Sequence, residues 1–162
     1  MLFRSLRKNR ETVCLGCLLA CGFLLRLFAA SDLYLHDWDE RYHALVAKHV
    51  MQHPFRPMLY VEPLLPYDYR EWIGNHVWVH KEPLSLWLIA TSFAIFGINE
   101  IALRLPSVLL STAAVGAVFL MARQLLSAQA GFVAAGLFAI NGFLIELVAG
   151  RAATDHVDTL FI

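Results

Sequence analysis

The stretch "LYLHDWDERYHALVAKHV", residues 33–50, concentrates side chains that can do chemistry in a chain that is otherwise largely apolar. Its ionisable residues are Asp37, Asp39, Glu40, Arg41, Lys48 and the histidines at 36, 43 and 49. The stretch directly follows the first long apolar run, which places it at a membrane face. Charged groups held there are costly unless water solvates them or the protein uses them, so the cluster is a candidate functional site.

Three simpler interpretations of this cluster stay open. It can be a solvated surface loop, or a helix cap, because Asp39 directly precedes a helical pattern and Asp37 has capping-box spacing to Glu40. It can also bind metal through nitrogen and oxygen ligands, as can a second group of residues. The two groups are His36, Asp37, Asp39, Glu40 and His43, and His76, His80 and Glu82. Neither matches a specific ligand signature, so a divalent metal is left open.

The composition indicates a membrane protein. Hydrophobic residues make up 59% of the 162 residues and charged residues 16%, and the mean hydropathy is +0.58. Lys and Arg together number 13, as do Asp and Glu, so no basic field favours a nucleic-acid partner. The three cysteines lie in "CLGCLLAC" within the first apolar run, where small helix-packing residues are a better interpretation than a metal-binding pair.

The order of polar and apolar segments predicts an all-α polytopic membrane protein. A basic segment, 1–12, precedes a first span over 13–30 and is expected in the cytoplasm. Further spans are predicted over 105–122 and 131–150, and 159–162 begins a fourth. A cleaved signal peptide is the alternative for the first span, because "AAS" at 29–31 resembles a cleavage site. Arg26 within the apolar run and the further spans downstream favour the membrane helix.

Between the first two spans, residues 31–104 are predicted to form a large outer loop. Helical spacing of apolar residues predicts an amphipathic helix over 40–52 that lies on the membrane surface, with membrane lipids as partners. The apolar segment 83–97 has about fifteen residues where a span needs about twenty, so we expect an interfacial helix. If the chain crosses the membrane once at each predicted span, Arg123 lies in the cytoplasm and residues 151–158 lie at the outer face.

Four motifs in this order resemble the membrane glycosyltransferases of the GT-C superfamily, nearest to the branch that holds protein O-mannosyltransferases and lipid A aminoarabinose transferases. The motifs are "DWDE", "HKEPL", "NEIALRLPS" and "GRAATDHVD", and the resemblance covers residues 34–162. It implies the N-terminal part of a GT-C-type transmembrane helix bundle. It also implies transfer of a sugar from a polyprenyl phosphate to a lipid, glycan or protein hydroxyl, at the outer face of a bacterial plasma membrane and with inversion.

The resemblance also assigns roles to individual residues. Asp39 would be the general base that takes the proton from the acceptor hydroxyl. Lys81, which could otherwise be a snorkelling interfacial lysine, would stabilise the phosphate leaving group. The residues placed around the substrates are Glu40, His80, Lys81, Arg151 and Asp155.

The chain departs from the family pattern in three respects. Glu82 stands where many relatives have proline, and it adds a negative charge beside Lys81. Asp158 competes with Asp155 because the spacing from Arg151 varies. Relatives are several times larger, so we expect this chain to be a fragment of a longer reading frame.

A polytopic transporter and a small non-catalytic membrane protein are the alternative functions. The loop position of nearly all the carboxylates, Glu146 apart, disfavours the transporter.

Overall fold

The computed structural model describes residues 2–37, 39–71, 74–152 and 159, with side chains described from residue 9 onward. Six helices follow one another in the described chain: α1 (Leu2–Ala29), α2 (Asp39–Val50), α3 (Pro83–Phe96), α4 (Glu100–Leu125), α5 (Ala128–Ala139) and α6 (Gly142–Val148). Over these described ranges there is no strand, only an isolated antiparallel bridge between Met58 and Val77. The predicted fold class, a helical membrane protein, is confirmed.

Two helices are individually long and apolar enough to cross a membrane. They are α1, over Asn9–Ala29, and α4, over its whole length. Helices α5 and α6 pass the same test only as a pair, and they are bent by 53° at the break between them. The sequence predicts one continuous span over 131–150, and here the structure differs. The side chain of Asn141 accepts a hydrogen bond from the amide of Leu144 at 3.1 Å, which starts a new helix after the break.

Helix ends explain the remaining bounds. Helix α4 begins five residues before the predicted span because the side chain of Asn99 accepts from the amide of Ala102 at 2.8 Å. Pro83 lies in the first turn of α3, where a missing amide hydrogen costs nothing. Gly97 ends α3 with a φ of 81°, a conformation that glycine adopts without strain. The resulting helix has 14 residues, too few for a span of about twenty.

Helix α4 is the centre of the packing. It contacts α1, α3, α5 and α6, while α2 packs on α3. One buried cluster joins α4 to α5, and it consists of Val115, Phe119, Ala135 and Ala139. A second joins α2, α3 and the first turn of α4, and it consists of Ala47, Ile89, Phe93, Ala102 and Leu103. This second cluster holds the predicted acidic site against the beginning of α4.

The loop between α2 and α3 is irregular but folds back on the helices. We call its described residues, 51–71 and 74–82, the outer loop after the side of the membrane predicted for it. The amide of Trp78 donates to the carbonyl of Pro57 at 2.8 Å, and the indole of Trp87 donates to the carbonyl of Pro54 at 2.7 Å. Leu59 and Trp78 are buried against residues of α2 and α3. The loop therefore brings the segment that begins at Trp78 against α2.

Candidate active site

Two adjacent carboxylates, Asp39 and Glu40, lie at the start of α2, and they differ in burial and in hydrogen bonding. Glu40 is buried, and Arg104, in the second turn of α4, is fully buried beside it. The Nε of Arg104 donates to Oε1 of Glu40 at 2.6 Å, and Nη2 donates to Oε2 at 3.0 Å. This is the bidentate geometry in which a guanidinium binds a carboxylate most strongly. It fixes the first turn of α2 to α4.

Arg104 also organises the segment between α1 and α2. Its Nη1 donates to the carbonyls of Ala30 and Asp32 at 3.0 and 2.7 Å, and its Nη2 donates to the carbonyl of Tyr34 at 2.7 Å. A buried charge is tolerated only when its hydrogen-bonding groups are satisfied. The backbone of residues 30–34 supplies the acceptors that Glu40 does not.

His36 and Gly150 complete the surroundings of the Glu40 carboxylate. The amide of His36 donates to Oε2 at 2.6 Å, and its ring Nδ1 lies 3.0 Å from the same oxygen. A Cβ added at Gly150 would lie 2.6 Å from Oε1, and the φ of Gly150 is +75°. The chain after α6 therefore packs directly on this carboxylate. We call Glu40, Arg104, His36 and Gly150 the Glu40 network.

Arg151 extends this network toward solvent. Its Nε and Nη2 donate to Oδ2 of Asp32 at 2.9 and 2.7 Å, and its Nη1 donates to Oε1 of Glu146 at 3.2 Å. The hydrogen bond from Arg151 lowers the pKa of the Asp32 carboxyl from its ordinary value, and the same bond raises the pKa of Arg151. The chain after α6 is thus linked to the residues that follow α1.

Asp39 is the carboxylate that the network leaves available. It lies in the first turn of α2 and is half-buried. Its side chain forms no hydrogen bond or ion pair with another residue of the described ranges. On a helix, residues three and four positions apart lie on one face, so Asp39 shares a face with Tyr42 and His43.

Trp78 connects this face of α2 to the predicted phosphate-binding motif. Its ring centroid lies 6.1 Å from that of Tyr42 and 5.6 Å from that of His43. It also lies 5.6 Å from the ring of His80, which directly precedes the half-buried Lys81. The aromatic contacts bring the "HKEPL" motif to the face of α2 that carries Asp39.

The predicted site residues thus fall into two groups, and their roles stay predictions. Glu40 and Arg151 lie in a bonded network, whereas Trp78 joins His80, next to Lys81, to the α2 residues Tyr42 and His43, one turn after Asp39. Asp155 and its competitor Asp158 lie outside the described residues. Within the part of the chain that is described, no three His, Cys, Asp or Glu side chains converge to hold a metal ion.

Sequence reasoning missed Arg104. It stands in the motif "NEIALRLPS", where the sequence gives it no role. The available signal was its position in an apolar helix, because a charged residue there needs a buried partner. The partner, Glu40, lies 64 positions earlier in the chain. Spacing along the sequence could not identify that pairing.

Comparison with known proteins assigns the chain to a family. The family model described as dolichyl-phosphate-mannose-protein mannosyltransferase matches residues 80–162, slightly more than half of the chain. No curated protein and no solved structure matches the chain with statistical significance. The matched region contains "HKEPL", Arg104 and Arg151, and it confirms the predicted GT-C membership. The chain belongs to the dolichyl-phosphate-mannose-protein mannosyltransferase family of GT-C membrane glycosyltransferases.

Proposed function

We propose that this glycosyltransferase moves a sugar from a polyprenyl-phosphate donor to a hydroxyl group of a lipid, glycan or protein acceptor. The reaction takes place at the outer face of the membrane as a single displacement that inverts the anomeric carbon. One observation carries the proposal. Of two adjacent carboxylates, Glu40 is bound on both oxygens by Arg104, while Asp39 is half-buried and bonded to no other described residue.

Asp39 is the general base of this reaction. As the acceptor oxygen attacks the anomeric carbon, the hydroxyl proton passes to the Asp39 carboxylate and the bond between that carbon and the phosphate oxygen breaks. The position of Asp39 in the first turn of α2 suits this role, because the positive end of a helix dipole favours a negative side chain. No covalent sugar–enzyme intermediate forms.

Glu40 acts through structure rather than by contact with substrate. Both its oxygens accept hydrogen bonds from Arg104, and Oε2 also accepts from the amide of His36. These bonds hold the first turn of α2, and therefore Asp39, at a fixed place above α4. We propose Glu40 as a positioning residue, which refines the substrate-binding role expected from the family resemblance.

Lys81, with His80, stabilises the phosphate leaving group. A cation placed where negative charge develops lowers the barrier to bond breaking. Lys81 lies two residues before α3, whose first turn contributes further positive potential. Glu82 is exposed, so water and salt screen the negative charge that it adds beside Lys81.

Arg151 and Asp155 are proposed to bind the substrates from the side opposite Asp39 and Lys81. Arg151 is bonded to Asp32 and Glu146. The first two residues of the motif "GRAATDHVD", Gly150 and Arg151, thereby lie at the end of the bundle that carries the start of α2. The proximity of the motif to Glu40 through Gly150 supports this placement.

The proposal is tested by purifying the complete protein, reconstituting it in liposomes and offering radiolabelled polyprenyl-phosphate sugars with lipid and peptide acceptors. We expect label to pass from the polyprenyl phosphate and not from a nucleotide sugar offered in parallel. The anomeric configuration of the product, read by NMR, should be opposite to that of the donor. Transfer from the nucleotide sugar, or a retained configuration, would contradict the proposal.

A further inference from the structure

Arg26 is a fully buried charge in the first span, and the reaction proposed above does not use it. Its Nε donates to the Ser111 hydroxyl in α4 at 2.8 Å. Its Nη1 donates to the carbonyl of Gly22, one turn earlier in α1, at 3.2 Å. Its remaining bonds reach the third span, where Nη1 and Nη2 donate to the carbonyls of Ala139 and Phe138 at 3.1 and 3.4 Å. One guanidinium therefore joins all three candidate spans.

The carbonyls that Arg26 reaches lie at a break in the helix. Ala139 is the last residue of α5, and the chain turns there by 53° into α6. The last carbonyls of any helix have no partner within that helix. In an apolar span an unsatisfied carbonyl is costly, because no water replaces the missing bond. Arg26 supplies a donor to the carbonyl of Ala139, and it adds a second donor to the carbonyl of Phe138, which also accepts from the amide of Asn141 at 3.3 Å.

A glycine of α1, Gly22, lies beside this contact. A Cβ added at Gly22 would lie 3.4 Å from Nη1 of Arg26 and 3.8 Å from the Cβ of Ala139. These are ordinary van der Waals distances, so α1 and the end of α5 pack closely around the guanidinium. A single ammonium, as in lysine, could not bind the Ser111 hydroxyl and both carbonyls in the fixed fork geometry of arginine.

The break directs the chain into the Glu40 network. Helix α6 spans only Gly142–Val148, and Gly150 and Arg151 follow it after a single residue, Ala149. Gly150 packs on the Glu40 carboxylate and Arg151 binds Asp32. A change in the direction of α6 would move both residues, because so few residues separate them from the break.

We propose that Arg26 is a positioning residue, which holds the break between α5 and α6 inside the membrane and thereby sets Gly150 and Arg151 beside Glu40 and Asp32. The geometric part of this proposal is independent of the proposed reaction. The expected effect of Arg26 on the sugar transfer rate rests on the proposed function.

The test measures the break directly. Spin labels are placed at Gln129 and Glu146, both exposed, in the complete protein with Cys14, Cys17 and Cys21 replaced by alanine. The distance between the labels is measured by double electron–electron resonance in lipid nanodiscs. In Arg26→Leu the carbonyl of Ala139 loses its donor, and it regains a partner if α5 and α6 become one helix, which lengthens the distance by about 2 Å. Arg26→Lys should give an intermediate shift.

Arg10→Leu is the matched control, because Arg10 is an exposed arginine of the same helix. It should leave the distance unchanged. The sugar transfer rate should fall as the distance lengthens, so that wild type is fastest, Arg26→Lys is intermediate and Arg26→Leu is slowest. If Arg26→Leu does not fold, Arg26→Lys still tests the prediction. If the folded Arg26 variants gave distance distributions identical to wild type, the proposal would be overturned. This holds even if those variants lost sugar transfer.

Discussion

The Glu40 network and the outer loop lie next to each other but are built in different ways. In the network, Glu40 and Arg104 are buried and joined by two hydrogen bonds. In the outer loop, large apolar side chains are open to the surroundings, with Leu64 100% and Phe55 92% exposed. The contrast indicates that the network determines the place of the helices. The loop presents these apolar side chains at the surface.

Substitution of Arg104 should break the network with the largest effect. Arg104→Leu leaves Glu40 as a buried charge without its cation, and it removes the donors to three carbonyls. Loss of one partner from a buried ion pair costs about 3–5 kcal/mol of unfolding free energy. Thermal or denaturant unfolding in detergent micelles measures this loss.

Arg123→Leu is the control for that variant. Arg123 pairs with Glu11, but its side chain is 47% exposed, so its removal should cost about 1 kcal/mol or less. In the double variant Glu40→Leu/Arg104→Leu neither charge of the pair remains, and part of the lost stability should return. Equal losses for the Arg104 and Arg123 single variants would mean that the buried pair does not organise this region.

Gly150→Ala should disturb the same network from the side of α6. The added Cβ would lie 2.6 Å from the Glu40 carboxylate, in a backbone conformation with φ of +75° that alanine rarely adopts. We expect a loss of about 1–3 kcal/mol in unfolding free energy. Gly136→Ala in α5 is the matched control, since a Cβ there meets nothing within 4 Å and alanine favours helix. A loss from Gly136→Ala as large as that from Gly150→Ala would contradict this account.

The Asp32–Arg151 pair, at the edge of the network, should have a smaller and pH-dependent effect. Because Arg151 lowers the pKa of Asp32, the pair stabilises the fold above the ordinary pKa of an aspartate, about 3.9. This stabilisation is lost as the pH falls through the lower pKa of the folded state. The unfolding temperatures of wild type and Asp32→Asn should therefore differ at pH 7 and converge once the pH falls below the lowered pKa of Asp32 in the folded state. If the difference in unfolding temperature stayed the same at that low pH, the Asp32–Arg151 pair could not be its cause.

The outer loop should tolerate change best. Leu64→Ser alters a fully exposed side chain, so we expect the unfolding free energy to change by about 0.5 kcal/mol or less. Leu59→Ser is the contrasting variant of the same loop, because Leu59 is fully buried between α2 and α3. A loss for Leu64→Ser that equals the loss for Leu59→Ser would show that the loop tip also packs in the folded protein.

Much of the fold follows from local sequence. Long apolar runs predict α1 and α4, and Pro83 with Gly97 marks α3. The break at residues 140–141 was not predicted, although "AING" contains the Asn-Gly pair that ends one helix and caps the next. Uniform hydropathy hides such a break, since Arg26, which donates to the carbonyl of Ala139 at the end of α5, lies in a different span.

The candidate site follows from sequence only in part. Residue types and the family resemblance point to Asp39, Glu40 and Lys81, but they cannot separate the free carboxylate from the bonded one. That distinction depends on Arg104, which reaches Glu40 only after α4 folds against α2. The link through Trp78 is likewise tertiary, because residues 42 and 78 meet only when the outer loop folds back.

The most direct test of the account compares Asp39→Asn with Asp37→Asn. Asp37 is an exposed aspartate two residues away that pairs with Arg41 on the surface. For Asp39→Asn we predict a transfer rate from polyprenyl-phosphate sugar lower by about 10²–10⁴-fold, with an unfolding temperature equal to that of wild type. Asp37→Asn should retain both the rate and the stability. Transfer at the wild-type rate by folded Asp39→Asn would contradict the assignment of Asp39 as the base.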